Sequence, residues 1–261
     1  MKQLVLGLFA AASFGALAQA ADLDPIAPEI AAQNYQYFVT AKIGAGPSLI
    51  DNEFVTTTPT AAGPSVSTGE FDDEWIAGVG VEAGAFLSDN IRVSAQFNIG
   101  RIEHDREVLS SGATFAGLTA AGLSPALPLN GHTKVYQGFA KVAYEVPLAD
   151  LGLTAPIFER SSVFAVGGVG FTHLRSKASL DLRIVNGLVG DVDAEDTVLS
   201  GLVGFGTAYA ITDNLDLVSE TNFVFGGDAD LGFTLLNGAV RARTVAETQA
   251  LTSQVGLRFK F

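Results

Sequence analysis

Between Ile91 and Ile102 the chain alternates with a period of two: Ile91, Val93, Ala95, Phe97 and Ile99 share one parity, Arg92, Ser94, Gln96 and Asn98 the other. Successive side chains of an extended strand point to opposite faces, so this spacing specifies a strand with one apolar and one polar side. The pattern closes the chain as well, where Leu251, Val255, Leu257, Phe259 and Phe261 oppose Thr252, Gln254, Arg258 and Lys260. It recurs in Trp75, Ala77, Val79, Val81, Ala83 and Ala85, set against Glu74 and Glu82.

Continued along the chain, the count predicts eight strands: Tyr35 to Leu49, Glu74 to Leu87, Ile91 to Ile102, Thr133 to Val146, Ser162 to Leu174, Thr197 to Ile211, Leu215 to Phe225 and Thr248 to Phe261. Tilted strands of ~9–11 residues cross a bilayer, whereas strands of soluble sandwiches are nearer ~5–6. The connections alternate in length. Tight turns fall at Ser88-Asp89-Asn90 and Thr212-Asp213-Asn214, in two hairpins of similar sequence. Long polar or small-residue stretches fall at Ile50 to Asp73, Glu103 to His132, Arg175 to Asp196 and Gly226 to Glu247. Short turns on one side and long loops on the other are the pattern of a membrane barrel. Pro147 to Ser161 departs from it, being long on the short-turn side. The expected fold is all-β, an eight-stranded antiparallel transmembrane β-barrel over residues 34–261.

Apolar residues make up 48 % of the chain, yet beyond the N-terminus no run approaches the ~18 that a spanning helix needs. The first residues read differently. Lys2, the apolar run Leu4 to Leu17 and Ala18-Gln19-Ala20 have the form of a secretory signal over residues 1–20, followed by a short periplasmic segment over 21–33. Cysteine is absent, so disulfides and thiolate metal sites are excluded. The net charge of −13 argues against nucleic acid as a partner.

Strand parity puts Tyr37, Trp75, Tyr136, Tyr144, Phe171, Tyr209, Phe223 and Phe259 on the apolar face, as two aromatic girdles. Lys42, Glu82, Arg92, Lys141, Glu145, Glu220 and Arg258 take the opposite face. A barrel of eight strands is just wide enough for side chains to fill, so these charges are expected to pair into a polar plug. Solvated surface charge on half-exposed strands is the plainer alternative. Gly78, Gly80, Gly84, Gly100, Gly138, Gly204, Gly206 and Gly256 lie within strands and are expected to relieve crowding inside the barrel.

The run Gly204-Phe205-Gly206-Thr207-Ala208-Tyr209-Ala210-Ile211-Thr212-Asp213-Asn214-Leu215-Asp216-Leu217-Val218-Ser219-Glu220 resembles the penultimate hairpin of OmpA-type membrane domains and small opacity-type porins. Val255-Gly256-Leu257-Arg258-Phe259-Lys260-Phe261 is similar to the closing strand of that outer-membrane β-barrel family. The resemblance implies a bacterial outer-membrane location. It also implies that Leu257, Phe259 and Phe261 are the signal read by the barrel-assembly machinery, and it brings no catalytic residues.

Three histidines, His104, His132 and His173, fall near the outer ends of consecutive strands and are weak metal candidates. Asp191 to Asp196 alternates carboxylates but lacks the glycine and distal glutamate of a calcium loop, so a solvated acidic loop is expected there. The stretch from Ser110 to Asn130 carries no charge. No spaced motif supports catalysis or a cofactor. The expected function is a structural or surface-interaction protein with acidic outer loops, facing outer-membrane lipids, lipopolysaccharide, and host or environmental surfaces. The alternative is a narrow porin passing water or small ions.

Overall fold

The computed structural model describes residues 37–47, 52–60, 63–70, 75–104, 129–153, 155–182, 188–235 and 240–261. The leader assigned to residues 1–20 and the segment 21–33 lie outside them, as does most of the uncharged stretch that begins at Ser110.

The strands are β1 (Tyr37–Pro47), β2 (Asn52–Thr60), β3 (Gly63–Glu70), β4 (Trp75–Phe86), β5 (Ile91–His104), β6 (Leu129–Pro147), β7 (Ser161–Leu182), β8 (Leu188–Thr212), β9 (Leu215–Gly226), β10 (Asp228–Leu235), β11 (Val240–Glu247) and β12 (Ala250–Lys260). Eight of them form a closed barrel in the order β1-β12-β9-β8-β7-β6-β5-β4, with every neighbouring pair antiparallel. Closure joins the two ends of the barrel: Ala41 faces Leu257, and Tyr37 and Phe261 exchange main-chain bonds of 3.1 and 3.0 Å. A closed ring leaves no strand edge in the hydrocarbon, which is the condition for a sheet to cross a membrane.

Period two then sorts the side chains. Along β1, Tyr37, Val39, Ala41 and Ile43 are exposed while Phe38, Thr40 and Lys42 are buried. The barrel is therefore inside out relative to a soluble protein. Val169 is 68 %, Ile43 67 % and Leu199 81 % exposed, whereas Lys42, Glu82, Arg92, Lys141, Glu220 and Arg258 are each at most 4 % exposed. Exposed apolar surface of this extent has no counterpart on soluble monomers and is satisfied by lipid.

The tight turns sit at one end. Ser88 Oγ accepts from Ile91 N at 3.1 Å, and the Asn90 amide donates to Glu145 O at 2.8 Å, tying the β4–β5 turn to β6. The long connection after Pro147 is compact: a 3-10 turn (Leu148–Leu151) ends at Gly152, whose φ of 79° suits a residue without Cβ, and helix α1 (Pro156–Glu159) follows. Arg160 then donates to Ile211 O at 3.0 Å, which pins this connection against the β8–β9 turn.

At the opposite end the sequence reading needs correction. Among the described residues, all four stretches expected as loops contain strand: Glu103 to His132 only the ends of β5 and β6, the other three much more. β7 and β8 run on as a hairpin, Leu182 facing Leu188, so the acidic run Asp191 to Asp196 is part of β8 and not a loop. The stretches Ile50 to Asp73 and Gly226 to Glu247 supply a second, four-stranded sheet in the order β10-β11-β2-β3. That order repeats the order β9-β12-β1-β4 of the barrel strands from which these segments lead. The second sheet therefore continues half of the barrel wall above the mouth. Its strands are short and rich in Thr, Val and Ala, and a count scaled to bilayer thickness passes over them.

Candidate functional site

Inward positions build the interior in layers, and the strands interdigitate large residues with glycine. A Cβ on Gly84 would meet the Phe38 ring, on Gly206 the Phe164 ring, on Gly256 the Lys42 side chain, and on Gly168 the Lys141 side chain. Large inward side chains thus lie over glycines of neighbouring strands, which lets a narrow barrel hold them. Gly138 is an exception to the expected inward set. It faces outward beneath the ring of Phe171, its cross-strand partner on β7, as Gly201 does beneath Phe225.

Nearest the short turns lies an aromatic and arginine layer. Arg258 grips Glu145 with two parallel bonds of 2.9 Å and donates through Nε to Asp216 at 2.8 Å. Arg92 approaches Glu145 at 3.2 Å and stacks its guanidinium 4.2 Å above the Phe164 ring centre. Phe38 and Phe86 pair at 5.2 Å beneath Arg258. Bidentate pairing and stacking both exploit the flat guanidinium, a geometry lysine cannot reproduce.

The next layer is a quartet. Lys42 bonds Glu82 and reaches Glu220 at 2.9 Å, while Lys141 reaches Glu220 at 2.7 Å and Glu82 at 3.3 Å. Alternating signs around a four-membered ring place each charge between two of the opposite kind. Neutral groups complete it: Ser94 donates to Glu82 at 2.6 Å, Asn222 to Glu220 at 2.7 Å, and the Gln96 carbonyl accepts from Lys141 at 2.6 Å and Lys42 at 3.2 Å. Gln96 continues the network to Asn98 at 2.8 Å and Gln254 at 3.1 Å. Above it stand smaller polar pairs, Ser200 on Thr172 at 2.9 Å and Thr133 on Ser176 at 2.9 Å.

The outermost layer is apolar. Ile76, Ile102, Val135, Leu174, Ala194 and Ala250 turn inward from six different strands and enclose Ala229 and Leu231 of β10. Ala229 is fully buried, Leu231 is 7 % exposed, and Asp228 and Asp230 beside them are exposed. The interior thus ends in an apolar collar filled by a strand of the second sheet.

Every one of the seven charged residues singled out from the sequence, Lys42, Glu82, Arg92, Lys141, Glu145, Glu220 and Arg258, lies in the two charged layers. Asp216, read only as part of a hairpin, completes the set as a fourth carboxylate; its parity with Glu220 was the available signal. Gln96, Asn98 and Gln254, placed on polar faces, and Asn222 stood outside the expected charge network because uncharged amides carry no sign to match. The collar and the inward rings of Phe38, Phe139 and Phe164 were missed because the polar parity was read as uniformly polar.

Leu257 and Phe259 are exposed on the lipid-facing side, and Phe261, at the chain end, is exposed with its ring against those of Phe259 and Tyr37. The histidines are not brought together. His132 stands opposite Glu103 on the outward face, where partial desolvation and Arg101 hold it below its ordinary value. His173, four register positions away across β6, meets Thr197 at 2.8 Å and the Tyr136 ring at 5.8 Å. His104 is opposite Gly131, and its side chain lies outside the described residues. Among the described residues no group of three acidic, histidine or cysteine side chains is placed to hold a metal.

No protein-family model and no characterised sequence matches the chain. Solved structures do. The outer membrane protein OprG of Pseudomonas aeruginosa superposes with a TM-score of 0.52 at 13 % identity, over 88 % of this chain and 97 % of that one. A major outer membrane protein from Thermus thermophilus gives 0.50 at 13 % identity, over 85 % and 99 %. This is an outer-membrane β-barrel fold. At such identity the likeness is one of fold alone, and it agrees with the resemblance carried by the Gly204 to Glu220 hairpin. Within this outer-membrane barrel fold the interior layers run from arginine and aromatic through the lysine–glutamate quartet to the apolar collar.

Proposed function

We propose that this protein is an integral barrel of a bacterial outer membrane, exported with cleavage of residues 1–20, whose role is structural and interactive at the cell surface. The observation that carries this reading is the inside-out arrangement: exposed Val169, Leu199 and Phe205 outside, the ion-paired quartet within. Such a body is stable only where lipid replaces water around it and where the interior satisfies its own charges. On this reading the partners are outer-membrane lipids and lipopolysaccharide, with environmental or host surfaces meeting the β7–β8 hairpin and the second sheet. Leu257, Phe259 and Phe261 serve the barrel-assembly machinery, and no catalysis is assigned.

The interior is closed at rest by the stacked layers. Single-channel recording in planar bilayers tests this. The sealed reading expects a baseline interrupted rarely, and frequent stable openings of substantial size would overturn it in favour of a narrow pore. One observation favours that second reading, a chain of polar groups that extends from Asp216 and Glu145 through the quartet to Ser200 and Thr133, beside the buried apolar cluster of Phe139, Val166, Leu202 and Val224, before it meets the collar.

A further inference from the structure

The strand that fills the collar is attached to the wall beside it differently from every other pair around the ring. The β8–β9 ladder ends with Ser200 opposite Gly226, and Gly227 N adds a last main-chain bond to Leu199 O at 3.3 Å. Beyond that point β10 belongs to the second sheet while β8 continues with β7. β10 still packs against β8, but a side chain replaces the ladder: Asp196 accepts from Asp230 N at 2.7 Å through Oδ2, and from its neighbour Thr197 N at 2.7 Å through Oδ1. The regular strands are interrupted at Gly227 and again at Thr248 and Gln249, where β11 passes into β12. Thr248 Oγ1 donates to Gly227 O at 2.9 Å, so the two interruptions lie side by side.

We infer that β10 is a movable stopper: Ala229 and Leu231 close the outer mouth, the interruptions at Gly227 and Thr248-Gln249 are its hinge, and Asp196 is its latch. The chemistry of the layers assigns the stopper the gating role. The quartet and the arginine layer are polar and can hold water, so they do not by themselves exclude it. An apolar constriction does, because a narrow hydrophobic passage dewets. Ala229 and Leu231 complete that constriction from a strand held to β8 by a carboxylate, whereas Ile76, Ile102, Val135, Leu174 and Ala194 are set in continuous ladders. Withdrawal of β10, carrying the sheet it belongs to, opens the top of the chain of polar groups to water and small ions. The inference rests on the reading of a membrane-spanning barrel and adds where its interior opens.

The chain has no cysteine, which makes a tether clean to install. In planar bilayers, Asp196→Cys with Asp230→Cys is compared oxidised and reduced, beside the wild type, Leu231→Ser and Lys42→Met. Once reduced, the double variant lacks the latch and is expected to open at least about tenfold more often than wild type, the weight of one hydrogen bond to a charged acceptor. Oxidised, it is expected to fall below wild type. Leu231→Ser keeps the latch, wets the collar and raises opening as well. Equal opening in the oxidised and reduced states would overturn the stopper, as would openings that appear with Lys42→Met but not with Leu231→Ser. Heat-modifiable gel migration of each protein separates the two levels: variants that migrate as folded barrels and never open refute the stopper, whereas a wild type that shows no heat-modifiable form refutes the barrel reading itself.

Discussion

Glu82 accepts from Lys42, Lys141 and Ser94 while 2 % exposed, so its carboxylate exchanges the whole of its hydration for three donors. Removing one member of such a set is costlier than removing an opposed pair, because the partner is left as an uncompensated buried charge. Glu82→Gln is expected to destabilise the folded barrel by about 3–5 kcal/mol, and Lys42→Met combined with Glu82→Leu to cost clearly less. Urea unfolding in lipid vesicles measures both, and Trp75, the one tryptophan of the chain and half exposed at the barrel rim, reports it by fluorescence. Equal losses in the single and the double variant would show that the quartet is not a coupled unit. At this scale much was legible, since alternation put Glu82 and Lys141 on one face without any knowledge of their partners. The amides were not legible: Gln96 matters through its position between two lysines, which depends on β5 and β6 standing at one particular register.

Strand pairs impose demands that single residues do not reveal. A Cβ on Gly170 would run into the main-chain carbonyl of Gly138 on β6, whereas one on Gly138 would meet the ring of Phe171, which can turn away. Gly170→Ala is therefore expected to cost at least about 1–3 kcal/mol, the range for overpacking that forces backbone shifts, and Gly138→Ala less. The same unfolding assay ranks them, and the reverse order would refute the backbone contact. In the β7–β8 hairpin Arg175 bonds Asp193 at 3.1 and 3.2 Å, and this hydrogen bond holds the Asp193 carboxyl below its ordinary range. A depressed carboxyl stabilises the folded hairpin fully above its unfolded value, and the benefit is lost as pH falls through the lowered one. Carbon-detected NMR titration is expected to find Asp193 low in wild type and returned toward the ordinary value by Arg175→Gln. An unchanged midpoint in that variant would remove Arg175 as the cause. The hairpin itself escaped the sequence reading because Arg175 to Asp196 is charged, and charge on both strands of a solvent-facing ladder looks like a loop until the pairs are seen to oppose each other.

For the molecule as a whole, closure and layering predict a barrel that migrates differently on gels before and after boiling in detergent. They also predict one that stays non-conducting in bilayers for most of the record; identical migration together with helical circular dichroism would sink the fold. What the sequence determined by itself was the face of most residues in the barrel strands and the number of those strands, because side-chain direction in a strand depends only on parity and is set by the backbone before any partner is met. What only the tertiary structure decided was which charges meet and where the wall ends. Lys42 and Glu220 are 178 positions apart and touch because β1 and β9 are held at their registers on either side of β12. Parity says nothing about register, and register is settled only when the ring closes and every strand must satisfy two neighbours at once. The second sheet and its stopper follow from the same rule: where the closed ladder between β8 and β9 ends, β10 parts from β8 while the order of the neighbouring strands is kept, and where that parting falls lies beyond any single strand's pattern.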